Sequence, residues 1–304
     1  MPKIALLAAL FLLSAPAGAA AVDRFVNPND TCTSEQVAGN PEHDTIQGAV
    51  DASSPGDVIL VCPDTYQETV VIAVDDLSLL GLPPVLLQPR TPAGPCIVVD
   101  AANVAIRRFE IAGCHVGIDV LATAIGGLIA NNTLHDNETA LRLNSPLGLV
   151  AQNNLARDNI VGIEASGDDT QVNNNTVRNN LFGIFLHEGS GLTAFKNRAQ
   201  NNLVGIGADF ALSCVMSFNS VSLNVLGIAI FDSDGCAIQS NNASRNDSLD
   251  CGWDGTGTNT FLDNNCRAEE PPGAWTRPAL RSALERARAV QGVNNLRGRS
   301  RWPR

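Results

Sequence analysis

Asp119, Arg142 and Glu164 follow one another at intervals of 23 and 22 residues, and His187 and Asp209 are again 22 apart. Two carboxylates so spaced can serve as general acid and general base on a glycosidic bond. An arginine beside a metal-bound carboxylate can serve a lyase. Asp119, Arg142 and Glu164 are therefore the candidate catalytic residues. A guanidinium between two carboxylates also works against catalysis, because it holds both ionised and removes the general acid. An ion-pair ladder, worth about 0 to 1 kcal/mol per exposed pair, is the preferred reading. Arg142, Glu164, His187 and Asp209, with Phe185 and Phe231 as apolar platforms, form the candidate binding set, since sugar-binding surfaces mix such groups.

The common interval belongs to a repeat. Residues 128–250 read as NNTLHDNETALRL, NNLARDNIVGIEA, NNTVRNNLFGIFL, KNRAQNNLVGIGA, FNSVSLNVLGIAI and NNASRNDSLDCGW. One column is Asn132, Asn154, Asn175, Asn197, Asn219 and Asn242; a second is Asn137, Asn159, Asn180, Asn202, Asn224 and Asp247. Gly-Ile pairs recur at Gly117, Gly162, Gly183, Gly205 and Gly227, and the residue two beyond each Ile is apolar. Period two marks a short strand with one buried face, and the Asn-rich turns leave no room for a long helix. A fixed period of this size makes a solenoid whose coils stack strand on strand. Asn suits the turns because it tolerates the left-handed region and its amide can bond the Asn of the next coil. Leucine-rich repeats share the period and an Asn ladder, but no block carries L-x-x-L-x-L.

These blocks resemble the right-handed parallel β-helix, the pectin-lyase-like fold. The expectation is an all-β solenoid of about nine coils, ~40 to 45 Å long at ~4.8 Å per coil. Residues 44–72, DTIQGAVDASSPGDVILVCPDTYQETVVI, look like the opening of secreted β-helix proteins, among them pectin methylesterases and NosD-type copper-maturation proteins. There an Asp cap and the stripe Ile46, Ala49 and Val50 predict a short helix that plugs the open end of the solenoid. In β-helix enzymes acting on polysaccharides, the resemblance implies a substrate groove along the strand face. The outward rows here are Asp119, Arg142, Glu164, Phe185, Gly207, Ala229 and Leu121, Asn144, Ser166, His187, Asp209, Phe231. Asp119 and Glu164 stand two coils apart, ~9.6 Å between backbones, near the upper end of the inverting-glycosidase separation. The G-x-x-D-F-x-F-G, N-T-D with G-H-G and D-P-H-D motifs of the esterases, polygalacturonases and epimerases are missing.

Four segments follow. Residues 1–21 read as a signal peptide, with Lys3, an apolar run at 4–13 and small residues Ala17, Gly18 and Ala19. Residues 22–57 give a loop, expected over 22–40, and the capping helix; residues 58–266 give the β-helix. Residues 267–304 give a basic, disordered tail with nine Arg and three Glu, in which RPALRSALERARAVQ has helical spacing. The chain carries −11 overall, so residues 4–266 carry −18. That charge argues against nucleic acid as partner, and no apolar run is long enough to span a membrane. The expected partner is a polysaccharide or a cell-envelope component met in the periplasm or outside the cell.

All eight Cys lie beyond residue 21, an even number in an exported chain. Cys214 and Cys236 fall at nearly the same place in successive coils, within disulfide reach. Cys32 with Cys62 would pin the cap, Cys251 with Cys266 would close the last turn, and Cys96 with Cys114 remain. No cofactor is expected. His43, His115 and His135 read as surface turn residues, since no second ligand recurs at coil spacing. Asp232-Ser233-Asp234-Gly235 has the D-x-D-G spacing of a calcium turn without its further acids, so an ordinary Asp turn is preferred.

Overall fold

Each coil consists of three short strands joined by tight corners. The computed structural model describes residues 21–266, apart from 34–36, 38, 92–93 and 146. The expected signal peptide, all but Ala21, and the expected tail lie outside the described residues. Sheet one has 12 strands, sheet two 10 and sheet three nine, and neighbours in each come from successive coils. Pairing is parallel, as in Val116–Val120 with Thr139–Leu143 and Leu128–Ala130 with Val150–Gln152. The chain is thus an all-β parallel solenoid of about nine turns.

Inside the rod, apolar side chains stack in columns. Sheet three contributes Ile118, Leu141, Ile163, Ile184, Ile206 and Ile228, each without exposed surface. Sheet two contributes Leu134, Ala156, Val177, Ala199 and Val221. One column of small and branched residues per sheet fills a triangular section, and each coil buries its neighbour's core.

The two Asn columns form two corners of the triangle. Asn154 shows the unit: its backbone N–H donates to Asn175 Oδ1 at 2.9 Å, and its Nδ2 donates to Asn175 Oδ1 at 3.1 Å and to Ile129 O at 2.8 Å. The chain of bonds starts where Phe109 N–H donates to Asn132 Oδ1 and ends where Asn241 donates to Asn264. Asn241, not Asn242, therefore occupies the first column, since Asn219 donates to Asn241 Oδ1. Likewise Asn246, not Asp247, takes the bonds of Asn224 in the second. The adjacent Asn pair hid a one-residue error of register. The left-handed backbone falls on the residue before each ladder Asn, as at Asn153 (φ 55°), Lys196 (φ 56°) and Phe218 (φ 56°). Asn is therefore selected at the ladder for its buried amide alone, and the strained position accepts Lys and Phe.

At the N-terminal end, the segment expected to be loop contributes strands. Asp23–Val26 pairs with Val58–Val61, and Glu42–His43 adds one strand further out. Val26 is fully buried and Phe25 nearly so, which explains why four residues leave the loop. The helix Ile46–Asp51 buries Ile46, Ala49 and Val50, with Thr45, not the expected Asp44, as N-cap. The Glu68 carboxylate accepts from the N–H groups of Ile46 and Gln47, which a helix start leaves unpaired. All four expected disulfides are present: Cys32–Cys62, Cys96–Cys114, Cys214–Cys236 and Cys251–Cys266. Such bonds persist in an oxidising compartment outside the cytoplasm. No helix among the described residues is long and apolar enough to cross a membrane.

Candidate functional site

The strands of sheet three carry the outward row just after the Gly column. A Cβ added to Gly162, Gly183, Gly205 or Gly227 would stand less than 3.0 Å from a backbone oxygen of the next coil. At these four positions a Cβ would force the neighbouring coil to shift, whereas Ala140 and Asp250 fill the same column in other coils. Beyond that column, register brings Asp119 opposite Arg142, Arg142 opposite Glu164, and Glu164 opposite Phe185. His187, Asp209 and Phe231 form the second row in register.

The polar residues connect into one line. Arg142 Nη1 lies 3.5 Å from Asp119 Oδ2, and Arg142 Nε lies 3.9 Å from Glu164 Oε2. Glu164 Oε1 pairs with His187 Nε2 at 2.9 Å. The His187 ring stacks on Phe185, centroids 5.3 Å apart and planes 25° from parallel, and Phe185 meets Phe182 at 5.6 Å. Arg142 and Glu164 keep 30% and 21% of their side-chain surface, so a ligand can reach them.

Asp119 departs from the expectation that Arg142 holds both carboxylates ionised. Its side chain is 13% exposed, and Oδ1 is buried without a hydrogen-bond partner. Burial pushes its pKa above the usual carboxylate value; Arg142 and His115 oppose this, and Glu164 adds to it. The ion pair at 3.5 Å is too long to offset the lost hydration. Phe231 is a second correction. It is 7% exposed and belongs to an apolar cluster with Leu226 and Ala229, so its ring is not an open platform. Asp209 follows Ala208 beside it, half-buried.

The remaining candidates are occupied locally. His115 Nδ1 pairs with Glu138 at 2.8 Å, and His135 bridges Glu110 and Asp136. His43 is held neutral by burial first and by Arg24 second, against the raising effect of Asp44. In the candidate calcium turn, Asp234 Oδ1 accepts from Thr258 N–H and Oγ, and Asp232 N–H donates to Asp254. Among the described residues no three His, Cys, Asp or Glu cluster as metal ligands would. One feature escaped sequence reading: Leu181 and Leu203, just after the second Asn column, are buried on the outer side of sheet three with Val225 packed against them. Its signal, an apolar residue after Asn159, Asn180, Asn202 and Asn224, is plain in the repeat.

Residues 92–211 match the family described as the right handed beta helix region. Over those residues the chain is similar to that family, and its fold is the parallel β-helix. This β-helix superposes on XylC in complex with xylose with a TM-score of 0.57 at 11% identity, covering 79% of this chain and 69% of that one. It superposes on pectate lyase Pel9A at 0.55 and 13% identity, covering 84% and 82%. For the A-module of mannuronan C-5 epimerase AlgE4 from Azotobacter vinelandii the values are 0.51 and 14%, covering 72% and 90%. At such identities the likeness is one of fold. No curated protein matches the β-helix in sequence.

Proposed function

We propose that this is an exported, non-catalytic β-helix protein that binds an extended polysaccharide, such as a cell-envelope glycan, along the outer face of sheet three. The observation that carries the reading is the connected row Asp119, Arg142, Glu164 and His187 with Phe185 stacked beside it. The row runs along the solenoid axis over four coils, ~14 Å, which suits a linear chain better than a compact ligand. Glu164 Oε1 is taken by His187, and Oε2 faces Arg142 at 3.9 Å, beyond hydrogen-bond distance. The saccharide ligand draws support from the similar β-helices: XylC in complex with xylose, a pectate lyase and a mannuronan epimerase.

One observation favours a second reading. Asp119 is pushed toward its neutral form, as a general acid requires, two coils from a carboxylate. A hydrolase would then use Asp119 as acid and Glu164 as base. The test is a polysaccharide panel scored for both binding and released product. Binding without product, weakened about tenfold or more in His187→Ala at an unchanged melting temperature, supports the first reading. Product release that Glu164→Gln abolishes, with binding nearly intact, supports the second. A native protein that binds no polymer would end both.

A further inference from the structure

The charges of the rod are sorted by face. Within residues 170–231 the cations are Arg178, Lys196 and Arg198, and the acids are Glu188 and Asp209. Asp209 ends the strand Val204–Asp209 and Glu188 follows the strand Phe182–His187, so both acids stand at the corner from sheet three to sheet one. The cations stand on the other side of the core. Arg178 and Arg198 belong to the outer face of sheet two, on the strands Thr176–Arg178 and Arg198–Gln200, and Lys196 occupies the corner from sheet one to sheet two.

Arg157, one coil earlier, lies directly opposite Arg178 in register. Like charges so placed destabilise a sheet unless an anion joins them. The acid beside them, Asp158, gives one oxygen to Arg157 at 2.9 Å and the other to Asn179 at 3.1 Å. Arg178 and Arg198 form no ion pair among the described residues. Residues 174–181, 195–203 and 217–225, which make three sheet-two strands and the corners beside them, contain no carboxylate. Lys196 and Arg198 are exposed, and Phe218 is 56% exposed. Its ring meets Phe195 edge-on at 5.7 Å, and Lys196 Nζ lies 4.9 Å from the centre of the Phe195 ring.

We propose that the outer face of sheet two is a second binding strip, which holds a linear acidic polysaccharide through Arg157, Arg178, Arg198 and Lys196. The cations occupy three successive coils, ~4.8 Å apart, so a chain lying along the rod can offer an anionic group to each. A guanidinium fork pairs with a carboxylate or an ester oxyanion at two points, and the site lacks such a partner of its own. The acids at the far corner lie across the core, ~10 Å or more away, and exposed charges so separated are largely screened beyond a Debye length of ~8 Å. Between and beside the cations, the exposed Asn174, Asn201 and Ser220 can bond hydroxyls, and the Phe218 ring can carry the apolar face of a sugar. A bare polyphosphate would use the cations alone. If sheet three binds as proposed above, one molecule holds two chains on two faces; only that consequence rests on the earlier reading.

Lys196 is the one lysine beyond residue 21, so acetylation of lysine side chains reads this strip at a single residue. The full chain is acetylated alone and with polygalacturonate, dextran sulfate, neutral dextran, polyphosphate or phosphatidylglycerol vesicles, and the Lys196 peptide is quantified. Expected is at least fivefold slower acetylation with polygalacturonate or dextran sulfate, a protection that falls as salt rises, and none with neutral dextran. Arg178→Gln/Arg198→Gln should abolish the protection, and Arg90→Gln, on the N-terminal coils, should leave it. No protection by either acidic polysaccharide, whatever polyphosphate or vesicles do, overturns the proposal. Equal protection by neutral dextran, or protection that the double variant keeps, overturns it as well. Because Lys196 reports on sheet two alone, such a failure leaves the sheet-three reading to its own panel.

Discussion

The Asn corners and the outer face of sheet three are built on the same 22-residue lattice and use it in opposite ways. At the corners every coil repeats the same residue, each amide bonding the next, and the column is 0–6% exposed from Asn132 to Asn224. On the outer face the lattice holds Asp119, Arg142, Glu164, Phe185, Gly207 and Ala229, no two alike. Parallel stacking forces equivalent positions into contact, so an identical residue must satisfy itself, and only groups such as Asn do so. Where residues differ, stacking does not dictate them. Fold resides in the positions that repeat, and recognition in those that do not.

The sharpest way to break this contrast is to delete one amide. Asn175→Leu takes the acceptor from Asn154 N–H, leaves Asn154 Nδ2 with Ile129 O alone and removes the Nδ2 donor from the Ala151 carbonyl, all buried. At ~1 to 3 kcal/mol per orphaned group, it should cost on the order of 3 kcal/mol or more. Asn144→Leu, at a half-buried site where Asn144 Oδ1 accepts only from Ser166 Oγ, should cost less than about 1 kcal/mol. Equal denaturant midpoints would mean that the corners carry no more stability than the face.

A smaller effect separates two glycines of sheet three. Gly183→Ala would drive a Cβ into the Gly205 carbonyl, backbone that cannot step aside, and should cost roughly 1 to 3 kcal/mol. Gly207→Ala meets the edge of the Phe185 ring at 3.3 Å, which can tilt, and should be close to neutral. Thermal melts of both variants check it. A neutral Gly183→Ala would show that the neighbouring coil gives way to a Cβ there.

This division also explains what could be read without coordinates. The Asn columns, Gly-Ile pairs and apolar alternation gave the solenoid, its register over five repeats and the disulfide partners, because each depends on residue type at fixed spacing. Register slipped only at Asn242 and Asp247, where neighbouring polar residues are chemically alike. The rows holding Arg142, Glu164 and His187 followed from the same spacing. The state of Asp119 and the withdrawal of Phe231 did not, since both depend on burial created by neighbours from several coils. The strand Asp23–Val26 carries no repeat and pairs with residues 35 positions away, so no local pattern announced it.

The finest test concerns whether the outer row is an ion-pair ladder at its first member. Burial is the largest influence on Asp119 and Glu164 adds to it, while Arg142 and His115 oppose them, and the net shift is upward. A carboxyl whose folded pKa lies above its unfolded value favours the neutral form in the folded chain. Its contribution is fully present below the ordinary value of 3.8 and is lost as pH rises through the folded value. Asp119→Asn fixes a neutral group of similar shape, so it escapes that loss. The variant should melt with the native protein at acidic pH and above it near neutrality, the gap opening as pH rises. Arg142 loses only a long ion pair in the exchange, too weak to reverse the sign. A gap that stays flat, or opens in favour of the native chain, would mean that the guanidinium prevails and Asp119 stands ionised beside it. The row would then be a ladder from end to end, with no general acid in it.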